Sequence, residues 1–288
     1  MTAAVLVDDR IAVNPASAGW AARLELRFAR ERARTVLAAR EHAGPLRVQK
    51  PLYPEGPDVC QVIVVHPPGG IVGGDSLTIA IDAGEGTHAQ LTTPGTAKWY
   101  RSPGPFARAR TTLRLRAGSL VEWLPQDAML FDGARASIGL CIELERDARF
   151  LGWEVMSLGR TESGEQFASG SLRQSFELIR DGALLYCERA VLEGGAGALR
   201  SGAVLNGAPV FGTLMAAGVP VQDDALAACR AVACASGDGA VTRLPDVFIA
   251  RFRGASATAA RGYFVTLWKL LRPTFAGRVA VPPRIWNT

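Results

Sequence analysis

The sequence predicts a mainly β fold with a few α-helices near its C-terminus. Three observations carry that expectation. From about residue 20 to residue 220, short runs of β-forming residues are punctuated by Gly, Pro, Asp and Asn. Within those runs, apolar residues alternate with period two at Leu77, Ile79 and Ile81, at Leu113 and Leu115, and at Ile138, Leu140, Ile142 and Leu144. Such alternation marks strands with one buried face, and together the strands imply large antiparallel sheets. Helical periodicity is confined to two late stretches. A hydrophobic share of 48% over 288 residues supports a sizeable core. We expect one domain over residues 1–288, with residues 1–20 as a flexible N-terminal segment.

At the N-terminus, Asp8 and Asp9 follow a very short apolar run with no basic region before it, so the segment does not read as a secretory signal. The five cysteines are an odd number without a C-x-x-C pair, which argues against a disulfide framework or a thiolate zinc site and fits a reducing cytoplasm. The 32 basic against 27 acidic residues give a net charge of +5, a mild bias towards acidic partners.

The next segments contain two imitations of catalytic motifs. Gly74-Asp75-Ser76-Leu77 spells the box of a class of serine esterases, but that chemistry needs a late histidine as base. The only histidines are His42, His66 and His88, so Ser76 as nucleophile is disfavoured and a turn entering a strand is expected. Gly84 to Ala89 fits G-x-G-x-x-A, yet the following Thr92-Thr93-Pro94-Gly95 cannot continue as the helix a dinucleotide site requires. A tight strand turn is expected instead. The histidines and cysteines lack the spacings of a permanent metal site, and no Walker A motif occurs.

Residues 86–121 carry Lys98, Arg101, Arg108, Arg110, Arg114 and Arg116 and no acid. If 107–116 is a strand, Arg108, Arg110, Arg114 and Arg116 share one face at about 7 Å intervals, opposite Leu113 and Leu115. This ladder is either a solvated face or a dock for an acidic protein or a phosphate backbone; nucleic-acid binding remains the weaker use. Further on, residues 201–222 run without a charge for about the length of a bilayer span. Pro209, Pro220, Asn206 and four glycines interrupt the run, so two buried strands joined by a turn are expected and no membrane association. Asp223 and Asp224 then cap a first helix over 225–233, and a second runs from Ala257 to Leu271 before Pro273 stops it. Both would pack on the sheets.

His66-Pro67-Pro68-Gly69-Gly70-Ile71-Val72-Gly73-Gly74-Asp75 is an unusual loop with two glycine pairs. It resembles the HPPGG-x-x-GGD segment of the UreD (UreH) family of urease accessory proteins. Blocks 92–102, 124–134, 159–167, 184–194 and the C-terminal RPTFAGRVAVPPRIWNT follow in the family's order. Asp127 departs from the glutamate more usual there.

The resemblance implies a large multi-stranded, β-helix-like two-layer architecture and a non-enzymatic scaffold for urease maturation. It implies association with UreF, through UreF with UreG, and docking on apo-urease, with self-association within the complex left open. No tightly bound cofactor is implied; nickel would be handled transiently, through an internal passage. Carboxylates suit such transit because oxygen ligands hold nickel weakly. The candidates are Asp75, Asp132 and Glu165 in the matching blocks, with Glu122 and Glu154 outside them. His66, Gly69, Gly70, Gly73, Gly74, Lys98, Tyr100, Arg101 and Arg160 also match and are expected to brace loops or dock partners.

Overall fold

The computed structural model describes residues 19–287, so the expected flexible segment over residues 1–20 lies almost wholly outside the described residues. Seven strands, β1 (Ala21–Glu31), β2 (Arg34–Ala43), β5 (Ser76–Ala83), β8 (Ala107–Leu115), β11 (Arg135–Leu144), β13 (Ser171–Arg180) and β14 (Ala183–Glu193), form a first sheet. Their order is β14-β13-β11-β8-β5-β1-β2. The second sheet has a main path β16-β17-β15-β12-β9-β6-β4-β3, with β7 and β10 attached beside β12. Its members are β3 (Arg47–Val48), β4 (Val59–Val65), β6 (His88–Thr92), β7 (Ala97–Trp99), β9 (Leu120–Leu124), β10 (Ala128–Leu130), β12 (Arg149–Leu158), β15 (Val210–Ala217), β16 (Asp238–Arg243) and β17 (Val247–Gly254).

The chain shuttles between the two sheets, so that β4, β6, β9 and β12 lie parallel in one while β1, β5, β8, β11 and β13 lie parallel in the other. Only the flanks are antiparallel. The expected large antiparallel sheets are thus corrected to a solenoid-like winding. The reason is physical: period-two alternation reports one buried face and carries no information about strand direction. The β-helix-like architecture implied by the resemblance is what the chain adopts.

A first apolar core fills the space between the sheets, and a second fills the space between the second sheet and two helices, α1 (Asp223–Arg230) and α2 (Ala257–Ala276). This arrangement explains two textures in the sequence. In β4, β6 and β9, covered on both faces, almost every residue is buried. In β8, with one face open to solvent, buried and exposed residues alternate.

Three local expectations need correction. Helix α1 starts after Gln222, so Asp223 and Asp224 occupy its first turn rather than the cap. Their charges still favour that end of the helix dipole. Helix α2 runs through Pro273 to Ala276 and ends on Gly277 at φ +66°. Proline near the last turn forfeits little backbone bonding, and the preceding Arg272 is fixed by buried ion pairs. The uncharged 201–222 run gives one strand, β15, after a series of turns rather than two strands. No described helix is long and apolar enough to cross a membrane.

Helix α2 is fastened by charge as well as by apolar packing. On β9, Val121 and Trp123 face the core between the sheets, so Glu122 faces the helix with no exposure. It accepts hydrogen bonds from Trp268 Nε1 at 2.6 Å and Arg272 Nε at 3.0 Å, and pairs with His88 Nε2 at 2.7 Å. Arg272, equally buried, reaches on to Glu55 at 2.7 and 2.8 Å. Burial alone would push the Glu122 carboxyl up, but His88 and Arg272 outweigh it and hold it down at about 2.

Glu122→Gln strands Arg272 with half its neutralising charge, and should destabilise the fold by about 3–5 kcal/mol in urea unfolding at pH 7. Because the folded-state value lies below the ordinary one, the Glu122 contribution is present above about pH 4.5 and is lost as the pH falls towards 2. The gap between wild type and variant should therefore narrow on acidification through that window; a constant gap would contradict the assignment.

Candidate functional site

The blocks singled out in the sequence meet around one loop. Residues 66–75 turn between β4 and β5, and Asp75, buried at their end, accepts from Trp20 N at 2.8 Å and Val72 N at 2.9 Å. Gly74 takes φ +96°, a conformation open to glycine. At Gly70 an added Cβ would sit 2.2 Å from the Tyr100 ring, whose hydroxyl donates to Gly69 O at 3.0 Å. Gly73 likewise packs against Ser102, so the 66–75 and 92–102 blocks brace each other. Ser76 opens β5, with its backbone N–H donating to Trp20 O. The Gly84–Ala89 segment is the turn into β6, with Gly86 at φ +63°.

Beneath this loop lies a cavity of about 290 Å³ between the sheets. His66, Thr96, Lys98 and Asp127 line it, and Glu154 lies against it from β12. Burial lowers the His66 pKa, only partly opposed by Asp75. Asp127 accepts from Thr96 Oγ1 at 2.9 Å, a short bridge that its shorter side chain spans. Trp99 Nε1 and Trp123 Nε1, on two lining residues, are buried without a protein partner. With His66, Thr96, Lys98 and Asp127 on its otherwise mostly apolar wall, a cavity of this volume accommodates water that satisfies such donors.

Glu154 also lines a second space of about 20 Å³, room for one water, on the side of Gln174, Glu188 and Thr213. It is therefore the wall common to a wide chamber and a narrow one. Beyond it, Glu188 pairs with Arg251 at 2.7 Å and accepts from Tyr186 at 2.9 Å near the surface. Glu154 lies deep in the protein and meets solvent-sized space through these chambers. Among the described residues its one side-chain partner is Gln174, whose Nε2 donates at 3.2 Å. Burial raises its pKa to about 7, with Gln174 opposing.

Of the five candidate carboxylates, the structure places Glu154 alone on the cavity. Glu122 points the other way, to helix α2. Asp132 accepts from Ser169 N at 2.8 Å and pairs with Arg101 at 3.0 Å, and Glu165 binds Arg160 through both oxygens at 3.1 Å. Arg160 also lies over the Phe131 ring, which stacks edge-on with Tyr100. Arg101, Tyr100 and Arg160 thus brace loops, while Lys98 is exposed at the chamber's edge.

Gln174 and Glu188 were absent from the sequence candidates. The alternation Leu172, Gln174, Phe176, Leu178 on β13 and Tyr186, Glu188, Ala190, Leu192 on β14 would have placed both facing inwards. Among the described residues no three His, Cys, Asp or Glu side chains converge to hold a metal ion. No cysteine lines either chamber. The site can offer a passing cation isolated oxygen ligands and no cage.

Comparison with known proteins gives one consistent result. The family model described as UreD urease accessory protein matches residues 21–287. A urease accessory protein UreD of Nitrosococcus oceani is 48% identical over 269 residues, covering 93% of this chain and 90% of the relative. One from Azoarcus sp. is 46% identical over 282 residues, covering 98% and 99%. One from Pseudomonas aeruginosa PAO1 is 49% identical over 270 residues, covering 93% and 95%.

The strained carboxyl makes a prediction independent of any activity. With a folded-state pKa near 7 against an ordinary value near 4.5, Glu154 favours folding least when both states are ionised. Its cost grows as the pH rises from about 4.5 to 7 and is full above that. Glu154→Gln should accordingly stabilise the protein by up to about 3 kcal/mol at pH 8 and by almost nothing at pH 4. Thermal melts across that range check it, and a variant less stable than wild type at pH 8 would refute it.

Proposed function

The chain belongs to the UreD family of urease accessory proteins, with a role in urease maturation, and from that premise we propose that it is the scaffold through which nickel passes on its way to apo-urease. In this reading the protein docks UreF, through UreF carries UreG, and rests on apo-urease. The cargo crosses the space between the sheets, from the chamber beneath residues 66–75, past Glu154, towards Glu188.

The observation that supports this most is the position of Glu154, a partly satisfied carboxylate that lines both chambers. Nickel in transit needs ligands that bind and then release. A single oxygen ligand with a pKa near neutrality does so, whereas thiolates or clustered imidazoles would retain the ion. Losing a proton as the cation arrives, Glu154 supplies the charge that offsets dehydration there, and regaining one lets the ion leave. His66 and Asp127 flank the approach, and Glu188 the far side.

The test is urease activity and nickel per active site in cells whose own copy of this gene is deleted and replaced by variants. Glu154→Gln should leave the protein abundant and still co-purifying with UreF while lowering nickel occupancy about tenfold or more, in line with the loss of groups that support metal sites. Asp75→Ala should behave differently, losing soluble protein and UreF association together because its loop loses two buried backbone bonds, about 2 kcal/mol. Full nickel occupancy with Glu154→Gln would sink the passage; full occupancy in the deletion strain would sink the maturation role.

A further inference from the structure

The open face of the first sheet carries, at one end, arginines that no carboxylate neutralises. The register sets Arg108 of β8 across Ser137 of β11 from Arg173 of β13, and one step along sets Arg110 across Gly139 from Ser175. Arg135 starts β11, and its guanidinium and that of Arg173 lie over the same Phe106 ring, 4.6 and 4.5 Å from its centroid. Among the described residues none of these four arginines has a carboxylate partner, and Arg108, Arg110 and Arg173 are exposed. At the other end of the same strand, Arg114 pairs with Glu143 at 3.2 Å, and Arg116 pairs with Glu145 at 2.6 Å and Asp82 at 3.5 Å. One half of the ladder is neutralised within the sheet and the other half is left as like charges in proximity, an arrangement that costs folding free energy.

We propose that this corner docks a short acidic segment of a partner protein, laid extended along β11 between the arginines of β8 and β13. The floor there is low. Ser137 and Gly139 carry little or no side chain, and a Cβ added at Gly139 would meet only Ser175 Oγ at 3.0 Å. The gutter is two strand spacings wide, about 10 Å. Carboxylates on alternate residues of an extended segment repeat at about 7 Å, the interval between Arg108 and Arg110. Arginine presents paired N–H groups that match a carboxylate.

A nucleic acid fits less well. Glu143 and Glu177 lie further along the same face, and Glu193, held by Ser171 Oγ at 2.9 Å, lies beside Arg135's row. A continuous phosphate backbone leaving the corner would meet Glu193 on one side and, along the strands, only arginines already claimed by carboxylates, Arg114 by Glu143 and Arg189 by Glu177; a short acidic stretch ends before them. That the partner belongs to the urease maturation assembly rests on the function proposed above, whereas the docking itself does not, since Arg108, Arg110 and Arg173 alternate outwards from the buried positions of their strands, with Arg110 alone also bordering the wide chamber.

The test uses the full chain and a fluorescein-labelled peptide of alternating Glu and Thr, read by anisotropy at low salt, beside a labelled random DNA duplex. Arg108→Gln with Arg110→Gln should weaken peptide binding about tenfold, Arg173→Gln about threefold and Arg114→Gln less than twofold, the scale expected for losing exposed charge-assisted contacts. Thermal melts confirm that each variant is folded. Failure of the wild type to bind the peptide overturns the proposal. So does an equal loss with Arg114→Gln, or duplex binding tighter than peptide binding with the same arginine dependence. Nickel occupancy of urease plays no part in these outcomes, so they stand apart from the fate of the passage.

Discussion

The contact on which the architecture depends is the buried pairing of Glu122 with Arg272. Each charge is without exposure, each is expensive to take out of water, and neither is tolerable without the other. The pair joins β9, in the middle of the second sheet, to the last turns of α2, and Arg272 extends the link to Glu55 in the loop before β4. His88 and Gln90 add a second strand, and Gln61, bonded to Gln90 at 2.6 Å, a third. A helix 150 residues later in the chain than β9 is thereby registered against three parallel strands. Apolar packing of Phe264, Leu267, Trp268 and Leu271 supplies attraction without direction. The charged network fixes which turn of the helix meets which strand.

Once the helix covers one face of the second sheet, much else follows. That sheet is buried on both sides, so its strands read as near-continuous apolar runs, and the polar residues within them are committed to partners. The first sheet has no such cover over its outer face. Its strands must alternate, and the outward positions collect charge, including the arginines of β8. The same asymmetry sets where function can lie. The layer under α2 is closed by complementary charges, while the layer between the sheets holds a carboxylate with one neutral partner and space around it.

Much of this was legible in the sequence, and the parts that were not share a cause. Leu77, Ile79 and Ile81, and the arginine alternation on β8, marked strands and their faces correctly because period two is a local property. Strand direction is not local: whether β5 lies parallel to β1 depends on the chain crossing to β4 of the other sheet and back. Pro273 was misjudged for a related reason, since tertiary pairing of Arg272 outweighs a local preference to stop. Among the candidate carboxylates, nothing local in the sequence separated Glu122 from Glu154. Both lie in β-strands within apolar runs. What separates them is which side of the second sheet each faces, and that was readable only from neighbours: Val121 and Trp123 turn inwards on β9, so Glu122 turns outwards, while Phe150, Gly152 and Met156 share Glu154's side on β12.

The two glutamates then diverge by chemistry alone. Both begin from the same intrinsic acidity and both are pushed upwards by burial. Glu122 meets Arg272, His88 and two further donors and ends near 2; Glu154 meets one amide and ends near 7. A carboxylate in the first state is a structural rivet, since any cation approaching it must compete with Arg272. In the second state its charge is unclaimed, and the fold carries the cost of keeping it there. Replacing it by an apolar side chain would fill the gap between the chambers and remove that cost, as Met156 and Phe150 do on the same face of the same strand. A position that is easier to stabilise than to keep polar is one that folding stability alone does not account for.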